Sequence, residues 1–353
     1  MTESERIETL LRHRKPDRVP IWPFGSGGFS CVDTGHTLVE FYTNPALALE
    51  VERVTCRKYG WVFSPMYTYA AYGGWEFGGD IKWPSCKFDQ APSIKRYPVE
   101  TELDVWDLSK PDIAGAGYHP LLTEFNRLAS AEKLDNEPFN ACIPLLGSFS
   151  VAGNTAGPER PNRWLLKKPD VAHHLLKAVT DYEIEVARYW KNMFGTEHAI
   201  IHSGEALASN QVISPKHFEQ FVLPYLRQLY QSLHSLGYKN IHTHICGDQN
   251  ANLPFWSQVP LGDPGIISIG HEVDILTAAN YFPEHIILGN IEPAIIQTRS
   301  PQEVYEASRI VIEKGKTCAG GFIFSSGCQL PPMSSSKNVR MMTKAVEDFG
   351  RYD

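Results

Sequence analysis

The sequence predicts an α/β fold, a single (β/α)8 barrel of the TIM-barrel kind with an insertion in its N-terminal half. Short β-branched runs bounded by turn residues recur along the whole chain, amphipathic stretches separate several of them, and no repeat, low-complexity tract or Ser/Gly linker divides it. At 353 residues the length suits two average domains or one elaborated barrel, and the alternation selects the barrel. We therefore expect one domain over residues 1–353.

In chain order the candidate strands are Arg18–Trp22, Trp61–Met66, Phe139–Leu145, Ala199–His202, Ile241–Ile245, Ile266–Ile269, Ile286–Gly289 and Gly321–Ser325. Between them, Pro215–Leu236 and Pro301–Lys314 have helical periodicity. Each follows a Ser-Pro step, Ser214-Pro215 and Ser300-Pro301, which sets a capping hydroxyl before a proline whose missing N–H is harmless at the first helical position. The stretch Tyr67–Asp104 is crowded with Gly, Pro and aromatic residues and is not helical in pattern. It reads as the main part of an insertion over about residues 67–135, a hairpin or lid beside one mouth of the barrel.

Composition excludes several classes. With 42% hydrophobic and 21% charged residues the chain is globular, not disordered. Lys+Arg 33 against Asp+Glu 40, net −7, offers no general attraction to nucleic acid or anionic lipid. Met1–Arg18 lacks the apolar core of a secretion signal, and no apolar run approaches the roughly 20 residues of a membrane helix. A cytoplasmic protein with neither a nucleic-acid nor a membrane partner is expected. Seven cysteines, an odd number scattered over a long chain, do not form a secreted disulfide framework.

In a barrel of this kind reactive groups project from the C-terminal ends of strands. Two ends stand out: His242-Thr243-His244-Ile245-Cys246-Gly247-Asp248 after the fifth strand and Ser325-Ser326-Gly327-Cys328-Gln329-Leu330-Pro331 after the eighth. His244 and Cys246 are two apart on extended backbone and point the same way, so Cys328 can meet them across the mouth. One imidazole and two thiolates favour Zn2+ and leave a fourth position for solvent, a carboxylate or substrate. Two thiolates cancel the charge of the ion, so its natural work is to bind a substrate thiol and hold it as a thiolate nucleophile. Read individually, a buried Cys and its neighbouring His are also ordinary core residues. Cys318 precedes the last strand and reads as a core or bottom-face thiol, and Cys31, Cys56, Cys86 and Cys142 have no ligand-type neighbour and receive no role.

Other candidates follow the same logic. His202 and Glu205, after the fourth strand, are placed as catalytic residues that orient substrate or move a proton. Asn290, after the seventh, binds substrate or caps a loop. The aromatics Trp22, Tyr67, Tyr69, Tyr72, Trp75 and Phe77 form either the core of the insertion or a water-poor wall for an apolar or methoxyaromatic substrate, with Trp22, Tyr67 and Trp75 taken as substrate contacts.

Three segments, Arg12-His13-Arg14-Lys15-Pro16-Asp17-Arg18-Val19-Pro20, Phe77-Gly78-Gly79-Asp80-Ile81-Lys82-Trp83-Pro84 and Ile213 to Tyr225, together resemble the uroporphyrinogen decarboxylase superfamily. Within it, His244-Ile245-Cys246-Gly247 with Cys328 is similar to the H-x-C…C zinc signature of the methylcobamide:coenzyme M methyltransferase branch, and Leu288-Gly289-Asn290-Ile291 looks like its Gly-Asn segment. The resemblance implies a methyltransferase that passes a methyl group between a small-molecule donor or acceptor and the cobalt of a corrinoid (cobalamin). The chain has no D-x-H-x-x-G cobalamin-ligating motif, so the corrinoid is expected on a partner protein. The branch can supply a Glu as fourth zinc ligand shortly after the sixth strand. Here the matching position is Gly270, followed by His271-Glu272, and Glu272 is chosen because an incoming thiol readily displaces a carboxylate.

True decarboxylases grip a polycarboxylate with arginines in an R-Q-A-G-R-like loop after the first strand. Here that loop reads Pro23-Phe24-Gly25-Ser26-Gly27-Gly28-Phe29-Ser30, without arginine, which disfavours a decarboxylase-like lyase. The remaining alternatives are the methyltransferase component of a methoxyaromatic O-demethylase and a non-catalytic protein that tethers a corrinoid protein.

Overall fold

In a computed structural model, residues 1–85, 89 and 91–352 are described. An antiparallel hairpin, β1 (Asp80–Lys82) with β2 (Ser93–Arg96), stands apart from a six-stranded parallel sheet. That sheet comprises β3 (Ala141–Pro144), β4 (Ala199–Glu205), β5 (Asn240–Ile245), β6 (Ile266–Ile269), β7 (Ile286–Ile291) and β8 (Phe322–Ser326), in sequence order. Helices connect successive strands, giving the (β/α) alternation of a TIM-type α/β fold. Among the described residues no helix is long and apolar enough to cross a membrane.

The first two candidate strands differ from expectation. Arg18–Trp22 and Trp61–Met66 occupy the gap beside β8 but form no ladder. The Phe324 N–H donates to Pro20 O (2.9 Å), Trp22 N–H to Phe324 O (3.0 Å) and Val62 N–H to Ile21 O (3.0 Å). Pro20, Pro23 and Pro65 remove the donors a regular ladder requires. Among the described residues, ladder pairing therefore runs through six strands and does not close into a ring.

Alternation along the ladder separates two cores. Cys142, Ile200, Ile266, Ile286, Leu288 and Ile323 face inward with Trp22, Phe24, Val62 and Phe139. Their neighbours Ile143, Ile201, Ile241, Ile267, Ile287 and Phe324 face the helices and join the larger cluster there.

The two Ser-Pro steps start helices as predicted. Ser300 forms a capping box with Glu303, and Ser214 Oγ accepts from the His217 N–H. The second helix is not continuous: between Pro215–His217 and Leu223–Leu236 lies a π-helical turn, Phe218–Val222. Pro224, which has no N–H for the carbonyl four residues back, follows that turn.

Within residues 67–135 the chain forms the β1–β2 hairpin, a short helix Glu102–Trp106 and the helix His119–Ala131. Cys86, assigned no role from the sequence, lies outside the described residues. Cys31, Cys56, Cys142 and Cys318 are buried free thiols.

Candidate metal centre

The register of the sheet builds the site. β5 pairs with β4 so that His242 lies opposite His202, and with β6 so that His244 lies opposite Ser268. All four face the interior. His202 Nδ1 and His242 Nδ1 are 3.1 Å apart, and His244 Nδ1 is 2.9 Å from Ser268 Oγ. The His244 ring stacks on Phe24 with centroids 4.4 Å apart. Phe24 is itself pinned by donation of its N–H to Ser325 Oγ (2.9 Å).

Cys246 continues the inward row of β5. Gly247 then turns the chain at φ +72°, where a Cβ would come within 3.2 Å of Gln211 and Ser209. On the other side of the mouth, β8 ends at Ser326, whose hydroxyl donates to the Cys328 carbonyl (2.6 Å). The Gly327 N–H donates to Ile291 O (2.8 Å). These bonds hold the Cys328 loop so that Cys246 Sγ and Cys328 Sγ are 3.8 Å apart, and one ligand atom from each of His244, Cys246 and Cys328 lies within 4.8 Å of the others.

This donor set fits Zn2+. Two sulfurs about 2.3 Å from a tetrahedral ion stand about 3.8 Å apart, the separation found here. His244 Nε2 is buried with no hydrogen-bond partner while Nδ1 is held by Ser268, as expected of a ligand nitrogen fixed by an outer-shell group. The two thiols share a hydrogen bond. It and His244 hold Cys328 well below the ordinary thiol range, and the same bond, with burial, raises Cys246. One thiolate is therefore favoured even before a cation binds.

Glu272 is not within the 4.8 Å set. Its carboxylate lies 3.4 Å from His271 Nδ1 and folds back over Gly270, where a Cβ would meet it at 2.5 Å. It is still near enough for its charge to raise the Cys246 thiol.

The three ligand-type residues open onto a cavity of about 510 Å³, walled by Phe24, Phe41, Tyr69 and Tyr97, by the hairpin residues Ser93 and Ile94, and by Leu207 and Leu330. His202 lines it, with burial and the neighbouring His244 imidazole lowering its pKa to about 3, so it is neutral at physiological pH. Glu205 does not line it. Three residues beyond His202, its side chain faces the helices. There the carboxylate accepts from the Phe149 N–H (3.2 Å) and the Ser150 hydroxyl at the start of the helix Ser148–Ala156, and burial raises its pKa to about 7.

None of the four residues taken as substrate contacts lines this cavity. Trp22 lies beneath the mouth in the inner core against Phe139 and His242. Tyr67 faces the helices, stacked on Phe125 and donating to Phe41 O (2.8 Å), while Trp75 packs on Trp83 and Tyr118. Asn290 is a loop tether: its side-chain amide donates to Gly270 O (3.0 Å) and Val273 O (2.7 Å).

Sequence reasoning missed His242, Phe24 and Glu52. His242 shares the alternation of His244 and was legible from it. Glu52 interrupts the apolar face Ala48, Leu49, Cys56 of the helix Pro45–Tyr59, a signal of a buried polar group. Phe24 sits in an irregular loop whose course no periodicity reveals.

A family model described as Uroporphyrinogen decarboxylase (URO-D) matches residues 2–349. The chain is similar to a methylcobamide:CoM methyltransferase, MtbA, of Methanosarcina acetivorans: 26% identical over 378 residues, covering 99% of this chain and 98% of the relative. It is also similar to a methylated-thiol–coenzyme M methyltransferase of Methanosarcina mazei, 28% identical over 221 residues, 60% of this chain and 54% of that one. Among solved structures, a methyltransferase from Methanosarcina mazei superposes with TM-score 0.82 at 20% identity, covering 99% of both chains.

Proposed function

The chain belongs to the uroporphyrinogen decarboxylase family, and we propose that within it this protein is a zinc-dependent methyltransferase of the cytoplasm. It moves a methyl group between a small molecule and the cobalt of a corrinoid carried by a separate protein. The observation that carries this reading is the N/S/S set of His244, Cys246 and Cys328 opening onto a largely apolar cavity. The similarity to a methylcobamide:CoM methyltransferase and to a methylated-thiol–coenzyme M methyltransferase supports methyl transfer. No Lys or Arg stands among the described residues lining the cavity, which disfavours a polycarboxylate substrate and with it the decarboxylase alternative.

Zinc held there supplies a lowered thiol pKa and so a thiolate at neutral pH. The chain's own residues do the rest. Ser268 orients His244, Phe24 stacks on its ring, and Asn290 tethers the Gly270–Val273 loop that carries Glu272, the displaceable fourth ligand. The aromatic walls exclude water, and a partner docked over the mouth would align donor and acceptor in line. His202 is the cavity imidazole suited to accept a hydrogen bond from substrate. Glu205 acts as a positioning residue through the helix it caps. The chain works as one domain, with the insertion over about residues 67–135 as a wall of the cavity.

In a thiol-methylating direction the sulfur–carbon bond forms, the cobalt–carbon electron pair stays on cobalt and the thiol proton passes to solvent. The aromatic walls also favour a second reading, in which an aromatic methyl ether is the donor. Zinc-loaded protein mixed with methylcobalamin and thiols should bleach the methylcobalamin absorption and yield the thioether. Full transfer by Cys246→Ser and Cys328→Ser would overturn the proposal.

A further inference from the structure

We infer that Glu52 makes the cavity selective for organic cations, so that the small-molecule substrate carries an ammonium group held by Glu52 and the surrounding aromatic faces. The inference deepens the methyl-transfer reading, on which it rests for the word substrate.

Glu52 lines the same cavity as Cys246 and Cys328. It is the one Asp, Glu, Lys or Arg among the described lining residues, and lining His202 is neutral. Its side chain projects from the helix Pro45–Tyr59, the residue is 5% exposed, and Oε2 is buried with no hydrogen-bond partner. Gly27 leaves the space beside it. A Cβ there would meet the Phe41 ring at 2.5 Å and Glu52 Oε1 at 3.1 Å, so ring and carboxyl converge on one point of the wall.

A buried carboxyl oxygen without a partner calls for a ligand to complete it. A Glu52 carboxylate that shares its cavity with the aromatic rings of Phe24, Phe41, Tyr69 and Tyr97 is complementary to a weakly hydrated organic cation, through charge and through the ring quadrupoles. A sulfonate in the same place would meet a carboxyl and no cation. Burial raises the Glu52 pKa, so its carboxyl holds a proton in the absence of a ligand, and an organic cation would bind with release of that proton.

Calorimetric titration of the metal-free protein with choline and with isethionate tests this without any turnover. Choline should bind at least tenfold more tightly. Glu52→Gln should erase the preference and Glu52→Asp should retain part of it, with unchanged circular dichroism in both. Absence of choline binding, equal or tighter isethionate binding, or a preference that survives in Glu52→Gln would overturn the inference. The wild-type comparison stands even if a variant fails to fold.

With zinc-loaded protein and methylcobalamin, cysteamine, 2-mercaptoethanol and 2-mercaptoethanesulfonate, which share a two-carbon thiol stem and differ in head group, should rank in that order in kcat/KM, the first at least tenfold above the last. The reverse order would also overturn it. Failure of all three thiols with the choline preference intact would sink the thiol-methylating reading and sustain the charge selectivity.

Discussion

His244 Nδ1 lies 2.9 Å from the hydroxyl of Ser268, the residue directly opposite it in the β5–β6 register. Strand pairing thus selects the ring orientation and leaves Nε2 as the nitrogen available to a metal. Removing such an outer-shell partner weakens metal binding about 10- to 100-fold. Ser268→Ala should show that loss in a zinc competition titration with a chromophoric chelator, while folding stability falls by only about 1 kcal/mol.

Asn290 tethers the loop between β6 and the next helix through Gly270 O and Val273 O. Asn290→Ala leaves those two carbonyls without that donor, at a cost of about 1–3 kcal/mol. It also frees the segment carrying His271 and Glu272. Thermal unfolding should show the destabilisation and chelator competition a weaker zinc site. Unchanged zinc affinity would remove Glu272 from the proposed ligand set.

Burial raises the Glu205 carboxyl from 4.5 to about 7 against the opposing hydrogen bonds of Ser150 and Phe149. Because the folded value lies above the unfolded one, the stability tied to its proton is fully present below about pH 4.5 and lost as pH rises through about 7. A shift of this size corresponds to about 3 kcal/mol. Glu205→Gln cannot titrate, so relative to wild type it should be less stable at pH 5 and gain on it toward pH 8. Urea unfolding at the two pH values measures this, and parallel profiles would refute the assignment.

Tyr67 donates to Phe41 O from a site packed against helices. Tyr67→Phe should lower stability by about 1 kcal/mol and leave the KM of any substrate unchanged, whereas Tyr69→Ala, in the cavity wall, should raise KM. Steady-state kinetics on the two variants separates the roles.

The contrast shows what was legible in the chain and what was not. His244 and Cys246 could be placed because they lie two apart at the end of a regular strand, and Cys328 because β8 is equally regular. The same alternation, carried three residues on from His202, would have turned Glu205 away from the cavity. Trp22, Tyr67 and Phe24 lie in or beside the two proline-interrupted segments, where no ladder sets side-chain direction. Tyr67, Tyr72 and Trp75 pack on Phe125, His119 and Tyr118 within the insertion, as core aromatics do. Asn290 could be read as substrate contact or loop cap, and its two carbonyl partners decide for the cap.

The most direct test of the central claim is X-ray absorption at the zinc edge of the metal-loaded protein. Two sulfur scatterers at about 2.3 Å and nitrogen or oxygen at about 2.0–2.1 Å are expected, with one sulfur lost in each of Cys246→Ser and Cys328→Ser. A shell of oxygen and nitrogen alone, or a spectrum unchanged by either substitution, would contradict it.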